Sequence, residues 1–163
     1  MAGQVTVIRE TRLDPRFPLS RHELMELGGT ILEALGLDEN SLEIKLVSDG
    51  EIARLNKEFM GCTGPTNVLS FPSENEAEAF GGDGAEETTY LGELALSVDA
   101  VSRESALYGQ PPVLHLARLL AHGILHLAGY DHGDEMYDLT DMAVDRVQLE
   151  YMIQSNGVVD AGA

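Results

Sequence analysis

At 163 residues and 44 % hydrophobic content, the chain is the size of one domain with a core of useful extent, which excludes wholesale disorder. Its 28 acids against 10 bases give a formal net charge of −18, a mean field that repels polyanions and by itself argues against nucleic acid as a partner. No apolar run approaches the ~18 residues needed to span a bilayer, the N-terminal Met1-Ala2-Gly3-Gln4-Val5 lacks the regions of a signal peptide, and Cys62 stands alone, so the expectation is a soluble cytoplasmic protein with no membrane partner.

Gln4 to Arg9 alternates as a strand, with Val5, Val7 and then Ile8 as apolar members. Ser20-Arg21-His22-Glu23 is a capping-box pattern that opens a helix. Leu24, Leu27, Ile31, Leu32 and Leu35 follow at helical spacing, and Gly36 is its stop. Leu42, Ile44 and Leu46 alternate as a second strand. Ser48-Asp49-Gly50-Glu51 repeats the capping signal for a short helix to about Phe59. Val68 to Pro72 reads as a short strand ended by proline. Ser73 to Thr89, with six acids, several glycines and few apolar residues, reads as a mobile surface loop.

Leu91 to Val98 is a further strand and Val101 to Leu107 a short helix. Leu114 to Leu127 is almost wholly apolar apart from His115, Arg118, His122 and His126, the pattern of a buried central helix. An amphipathic helix from about Glu135 to Ile153 closes the chain. The predicted organisation is one domain over residues 1–155 with a frayed tail over 156–163. Strands and helices intermix, so its class is α/β (α+β), one layered structure of sheet and helices. The charge is uneven: Met1 to Pro72 holds 11 acids and 7 bases, the remainder 17 and 3. A cationic face would therefore draw on Arg9, Arg12, Arg16, Arg21, Lys45, Arg54 and Lys57, and scattered solvated charges are the equally weighted alternative.

The stretch from His122 to His132 carries the chemistry. His122 and His126 are four apart on a helix, hence on one face a turn apart, where two imidazoles reach one metal at the ~2.0–2.1 Å of Zn–N bonds. Gly129 suits the left-handed residue that ends a helix, and His132 lies just past that turn, able to swing over the same face. An isolated His on an apolar face is more often a core residue than a ligand. Three imidazoles crowded around a helix stop need polar partners and favour a metal. Three protein ligands leave zinc an open position, as in catalytic sites, where it lowers the pKa of its water to roughly 7.

Gly123 fills the slot where the metalloprotease His-Glu-x-x-His carries its glutamate, so no general base is assigned. Asp131 is the nearest acid that could orient a ligand His or take a proton, and capping the turn is the equally weighted alternative. His115, seven before His122, is expected to be structural rather than a supporting neighbour of the metal, and His22 is background.

The eleven residues His122 to His132 closely resemble the signature of the YbeY endoribonucleases, bacterial rRNA maturation factors. Leu55-Asn56, Phe59-Met60-Gly61, Pro65-Thr66-Asn67-Val68-Leu69-Ser70-Phe71-Pro72 and Leu91-Gly92-Glu93-Leu94 resemble its other blocks, in order and spacing. The resemblance implies a mixed β-sheet packed by helices around a central metal-bearing helix, and a zinc held by His122, His126 and His132, one per chain. It implies single-strand-specific RNA cleavage in small-subunit rRNA 3′-end maturation and ribosome quality control. The implied partners are single-stranded rRNA, the small ribosomal subunit and an Era-type GTPase. One departure stands out: Met60 occupies the place of the family's arginine, a natural phosphate clamp, which Arg54 or Lys57 could replace if they face the cleft. That change, with the acidic balance, favours a ribosome-assembly binding factor with vestigial catalysis as the competing function. A zinc protease or amidohydrolase is a third, against which Gly123 counts.

Overall fold

The computed structural model describes residues 4–12, 17–61, 66–73, 89–131 and 133–162, with side chains through Tyr151. Strand β1 (Gln4–Arg9) buries Val5 and Val7 but leaves Ile8 at the surface, because alternation sends Ile8 to the opposite face. Helix α1 (Arg21–Ala34) starts at the expected capping box. Ser20 Oγ accepts from the Glu23 N–H, and the Glu23 carboxylate accepts from the Ser20 N–H at 2.9 Å. That backbone bond is the main reason the Glu23 carboxyl lies below its usual range. Beyond Leu35, Gly36 takes a left-handed φ of 74°, closing the helix as its sequence position suggests.

Strand β2 (Asn40–Val47) runs parallel to β1 and to β4 (Thr89–Ser97). Helix α2 (Asp49–Met60) follows β2, and strand β3 (Val68–Pro72) pairs antiparallel with β4. The sheet order is β1-β2-β4-β3, so β3 is an edge strand. Register around Gly92 depends on its lack of a side chain: φ is 139°, and a Cβ there would stand 2.3 Å from the Phe71 carbonyl oxygen. The expected strand Leu91 to Val98 ends one residue earlier, and the helix expected from Val101 begins at Val98. The reason is local: Ser97 Oγ accepts from the Ala100 N–H and caps α3 (Val98–Tyr108).

Helix α4 (Pro112–Leu127) is the central helix, with Leu116, Ala117, Leu120, Ala121 and Ile124 fully buried. It packs on β3 and β4, while α1 and α5 (Asp134–Gly162) complete the layer over that face of the sheet. The last helix continues past Ile153, where the sequence places its end. A smaller cluster of Val47, Ile52, Leu69 and Ala95 seats α2 on the opposite face. The mixed sheet, the single domain and the central helix match the expected class. Residues 74–88 of the expected surface loop lie outside the described residues. No helix among the described residues is long and apolar enough to cross a membrane.

Candidate metal centre

Helix α4 ends where its sequence indicates, and the ending positions the histidines. The Tyr130 N–H donates to the Leu125 carbonyl and the Gly129 N–H to the His126 carbonyl, both at 3.0 Å, with Gly129 at a φ of 96°. This paired closure, with glycine in the left-handed position, stops the helix sharply one turn after His126. His122 and His126 then face the same groove, and their Nε2 atoms stand 3.2 Å apart. Two donors on one tetrahedral zinc at ~2.0–2.1 Å stand about 3.3–3.4 Å apart, so the spacing fits two ligands of one ion. Two N–H groups cannot point at each other at this distance, so at most one of the two Nε2 atoms carries a proton.

His132, the third expected ligand, lies outside the described residues. Among the described residues no group of three His, Cys, Asp or Glu side chains is placed to hold a metal. Asp131 is exposed just past the turn. The described residues therefore supply two converging imidazoles of the expected three.

The groove, about 450 Å³, is walled by His122 and His126 on one side and by Thr66, Asn67, Val68, Ser70 and Pro72 on the other, with Met60 at the end of α2. Its second wall is the outer edge of β3, which pairs with no other strand among the described residues. The Ser97 N–H donates to the Asn67 carbonyl and the Ser73 N–H to the Leu91 carbonyl, so residues 67, 69, 71 and 73 turn their main-chain groups toward β4. Alternation then turns those of Val68, Ser70 and Pro72 outward, and proline at such a place costs no ladder bond. Gly123 explains how closely helix and edge approach. A Cβ at Gly123 would lie 2.8 Å from Leu94 Cδ2, and Ser70 Oγ donates to the Gly123 carbonyl at 3.3 Å. A glutamate in that slot would be driven into the sheet, not toward the groove.

None of the described residues lining the groove is an acid, a lysine or an arginine. Met60 does line the groove, but the expected substitutes for an arginine do not join it. Arg54 is bound on the outer face of α2 by Glu51 and Glu58, which also holds the Glu51 carboxyl below its usual range. Lys57 does not line the groove either. Lys45 is engaged by Glu10 and Glu93 on the sheet, and Arg103 by Asp49 at the start of α2. The hydrogen bond from Arg103, opposed by burial, is the leading cause of a lowered Asp49 carboxyl. Arg54, Lys45 and Arg103 are thus each tied to acids on separate elements, and Arg16 of the expected cationic set lies outside the described residues.

His115 is only 6 % exposed, and its Nε2 stands 2.8 Å from Glu104 Oε1. The expectation of a structural role is met in part, because Glu104 also holds the side chain of Asn67 in the groove wall. Glu104 was not a candidate from sequence. It is one of two acids on a short helix, and its partners lie 37 and 11 residues away.

A central helix closing on a left-handed glycine, two converging imidazoles and an edge strand beside them agree with the sequence blocks. The family described as Endoribonuclease YbeY matches residues 18–151. The chain belongs to the YbeY endoribonuclease family. An Endoribonuclease YbeY from Oleidesulfovibrio alaskensis is 51 % identical over 137 residues, covering 77 % of this chain and 81 % of that protein. The YbeY endoribonuclease of Nitratidesulfovibrio vulgaris is 42 % identical over 130 residues, covering 74 % and 80 %. A Thermotoga maritima protein whose structure was determined in solution shares the fold, with a TM-score of 0.62 and 25 % identity across 92 % of this chain and 93 % of that one. Membership of the YbeY family supports an endoribonuclease, and so a hydrolytic, role for this chain.

Proposed function

We propose that the chain is a zinc-dependent endoribonuclease specific for single-stranded RNA, acting in small-subunit rRNA 3′-end maturation and ribosome quality control in the cytoplasm. Its proposed partners are the small ribosomal subunit and an Era-type GTPase. The observation that carries the metal is the 3.2 Å approach of the His122 and His126 Nε2 atoms at the groove. His122, His126 and His132 would hold the ion, which supplies a water of lowered pKa and a Lewis acid for a phosphoryl oxygen. The chain's own part is positioning. The outward N–H groups of Val68 and Ser70 offer neutral donors along an extended strand. The half-exposed Met60 offers apolar surface but no donor at the end of α2. A strand with splayed bases can follow such an edge and expose its phosphodiesters one at a time.

The test is incubation of purified protein with single-stranded RNA and with casein, each with and without a chelator. RNA should be cut internally, casein left intact, and RNA cleavage lost on chelation and restored by zinc. Casein cleavage, or RNA cleavage indifferent to the chelator, overturns the reading. The uncharged lining favours one second reading, a ribosome-assembly factor that binds RNA without cutting it. Retained RNA with no cleavage in any arm would establish it.

A further inference from the structure

His115, Glu104 and Asn67 form a hydrogen-bonded line from the interior to the groove. His115, near the start of α4, is 8 % exposed in its side chain, and Glu104, on α3, is 19 % exposed. The two groups meet at 2.8 Å, and Tyr108 closes an edge-on ring contact over His115. Glu104 then takes the Asn67 Nδ2 on both oxygens, at 3.2 and 3.4 Å, while the Ser97 N–H fixes the Asn67 carbonyl at 2.9 Å. An ionised carboxylate only accepts hydrogen bonds, so it dictates which end of the carboxamide faces it: the amino group turns inward and Oδ1 turns away. Among the described residues Oδ1 takes no hydrogen bond. It is also not among the buried unpaired side-chain atoms, where Ser102 Oγ alone is found. Oδ1 therefore keeps solvent access, and Asn67 is one of the residues that line the groove.

We infer that the largely buried Glu104–His115 pair is a positioning device for Asn67, which presents Oδ1 to the groove as the acceptor for a ribose 2′-hydroxyl and so discriminates RNA from DNA. The inference rests on the reading of the groove as an RNA site. The chemistry selects the ligand group: a fixed acceptor in an uncharged wall repels a phosphate oxygen and is matched by a donor. The sugar donor that RNA has and DNA lacks within a strand is the 2′-OH. Glu104 acts through Asn67 and touches no substrate.

The test compares a labelled single-stranded RNA with the DNA of the same sequence, by anisotropy on the purified full chain read before cleavage proceeds. The wild type should prefer RNA. Asn67→Ala should lower RNA affinity about three- to tenfold, the weight of one neutral hydrogen bond, and leave DNA affinity unchanged. Glu104→Gln is nearly isosteric but can donate its own amide, which lets the Asn67 carboxamide flip. It should erase the RNA preference by the same factor while the melting temperature records the packing. Equal losses for RNA and DNA in Glu104→Gln would show a merely structural pair and overturn the positioning role. Should that variant fail to fold, Asn67→Ala decides alone, and a wild-type RNA-to-DNA ratio in it overturns the inference. No binding of RNA by the wild type overturns the groove's reading as an RNA site as well, an outcome distinct from both.

Discussion

His115 and His122 lie two turns apart on the same side of α4, yet their surroundings make them different groups. His115 meets a carboxylate from α3, is 6 % exposed, and completes a line of hydrogen bonds. His122 lies beside His126 at the mouth of a groove, where the neighbouring wall is the outer edge of β3 in the described sheet. Helical spacing puts both on one stripe. What each does depends on what the rest of the chain brings opposite it: an acid at one end of the helix, an open strand edge at the other.

The largest difference should be in metal binding and chemistry. His126→Ala removes one of two converging donors, so zinc content by elemental analysis should fall below one per chain and RNA cleavage should drop at least about a hundredfold. The melting temperature of the metal-free protein should barely change, and chelation should lower that of the wild type but not that of the variant. Zinc content equal in the variant and wild type would erase the contrast between the two ends of the helix.

His115→Ala should behave the other way. It leaves Glu104 without its closest partner in a largely buried place, at a cost of about 2–3 kcal/mol, below the figure for a fully buried pair because Glu104 is partly solvated. Urea unfolding should show that loss with zinc content intact. Loss of zinc from this variant would make His115 part of the metal centre and merge the two regions.

The smallest expected effect is a gain at the groove's end. Met60→Arg places a guanidinium where phosphate charge develops, with no other cation in the described lining. A preorganised donor is worth about a hundredfold or more in rate, and one introduced without supporting neighbours should recover only part of that, about tenfold. The initial rate of RNA cleavage should rise by that order with zinc content unchanged, and the gain should vanish in the double variant with His126→Ala. An unchanged rate would mean that the clamp is not needed at this position.

What could be read beforehand was what depends on near neighbours in the chain. Ser20 with Glu23, Gly36, Gly129, the buried stripe of α4 and the His122–His126 pair are all encoded within a few residues of themselves. The second capping signal was half legible: Ser48 caps α2 as expected, but Glu51 turns to Arg54 instead of back to Ser48. Hidden were the features made by distant segments. Pro72 hints at an edge strand, but nothing near Val68 names β4 as its antiparallel partner, and nothing near Glu104 announces Asn67 or His115. Likewise, Arg54 has the spacing to replace a clamp, yet two acids on its own helix bind it on the outer face.

The uncharged groove wall has a consequence for ionic strength. Proteins that grip nucleic acid through lysine and arginine release condensed counterions and lose affinity steeply as salt rises, with a slope of about −0.7 per neutralised phosphate for single strands. Here the described wall offers neutral main-chain donors, Ser70 and Asn67 instead of cations, and the whole chain carries a formal −18. What salt then acts on is mainly repulsion between two like-charged bodies, which is screened over about 10 Å at 0.1 M. RNA affinity should accordingly hold or rise between low and physiological salt. A fall of about tenfold across that range would reveal a cationic contact outside the described wall.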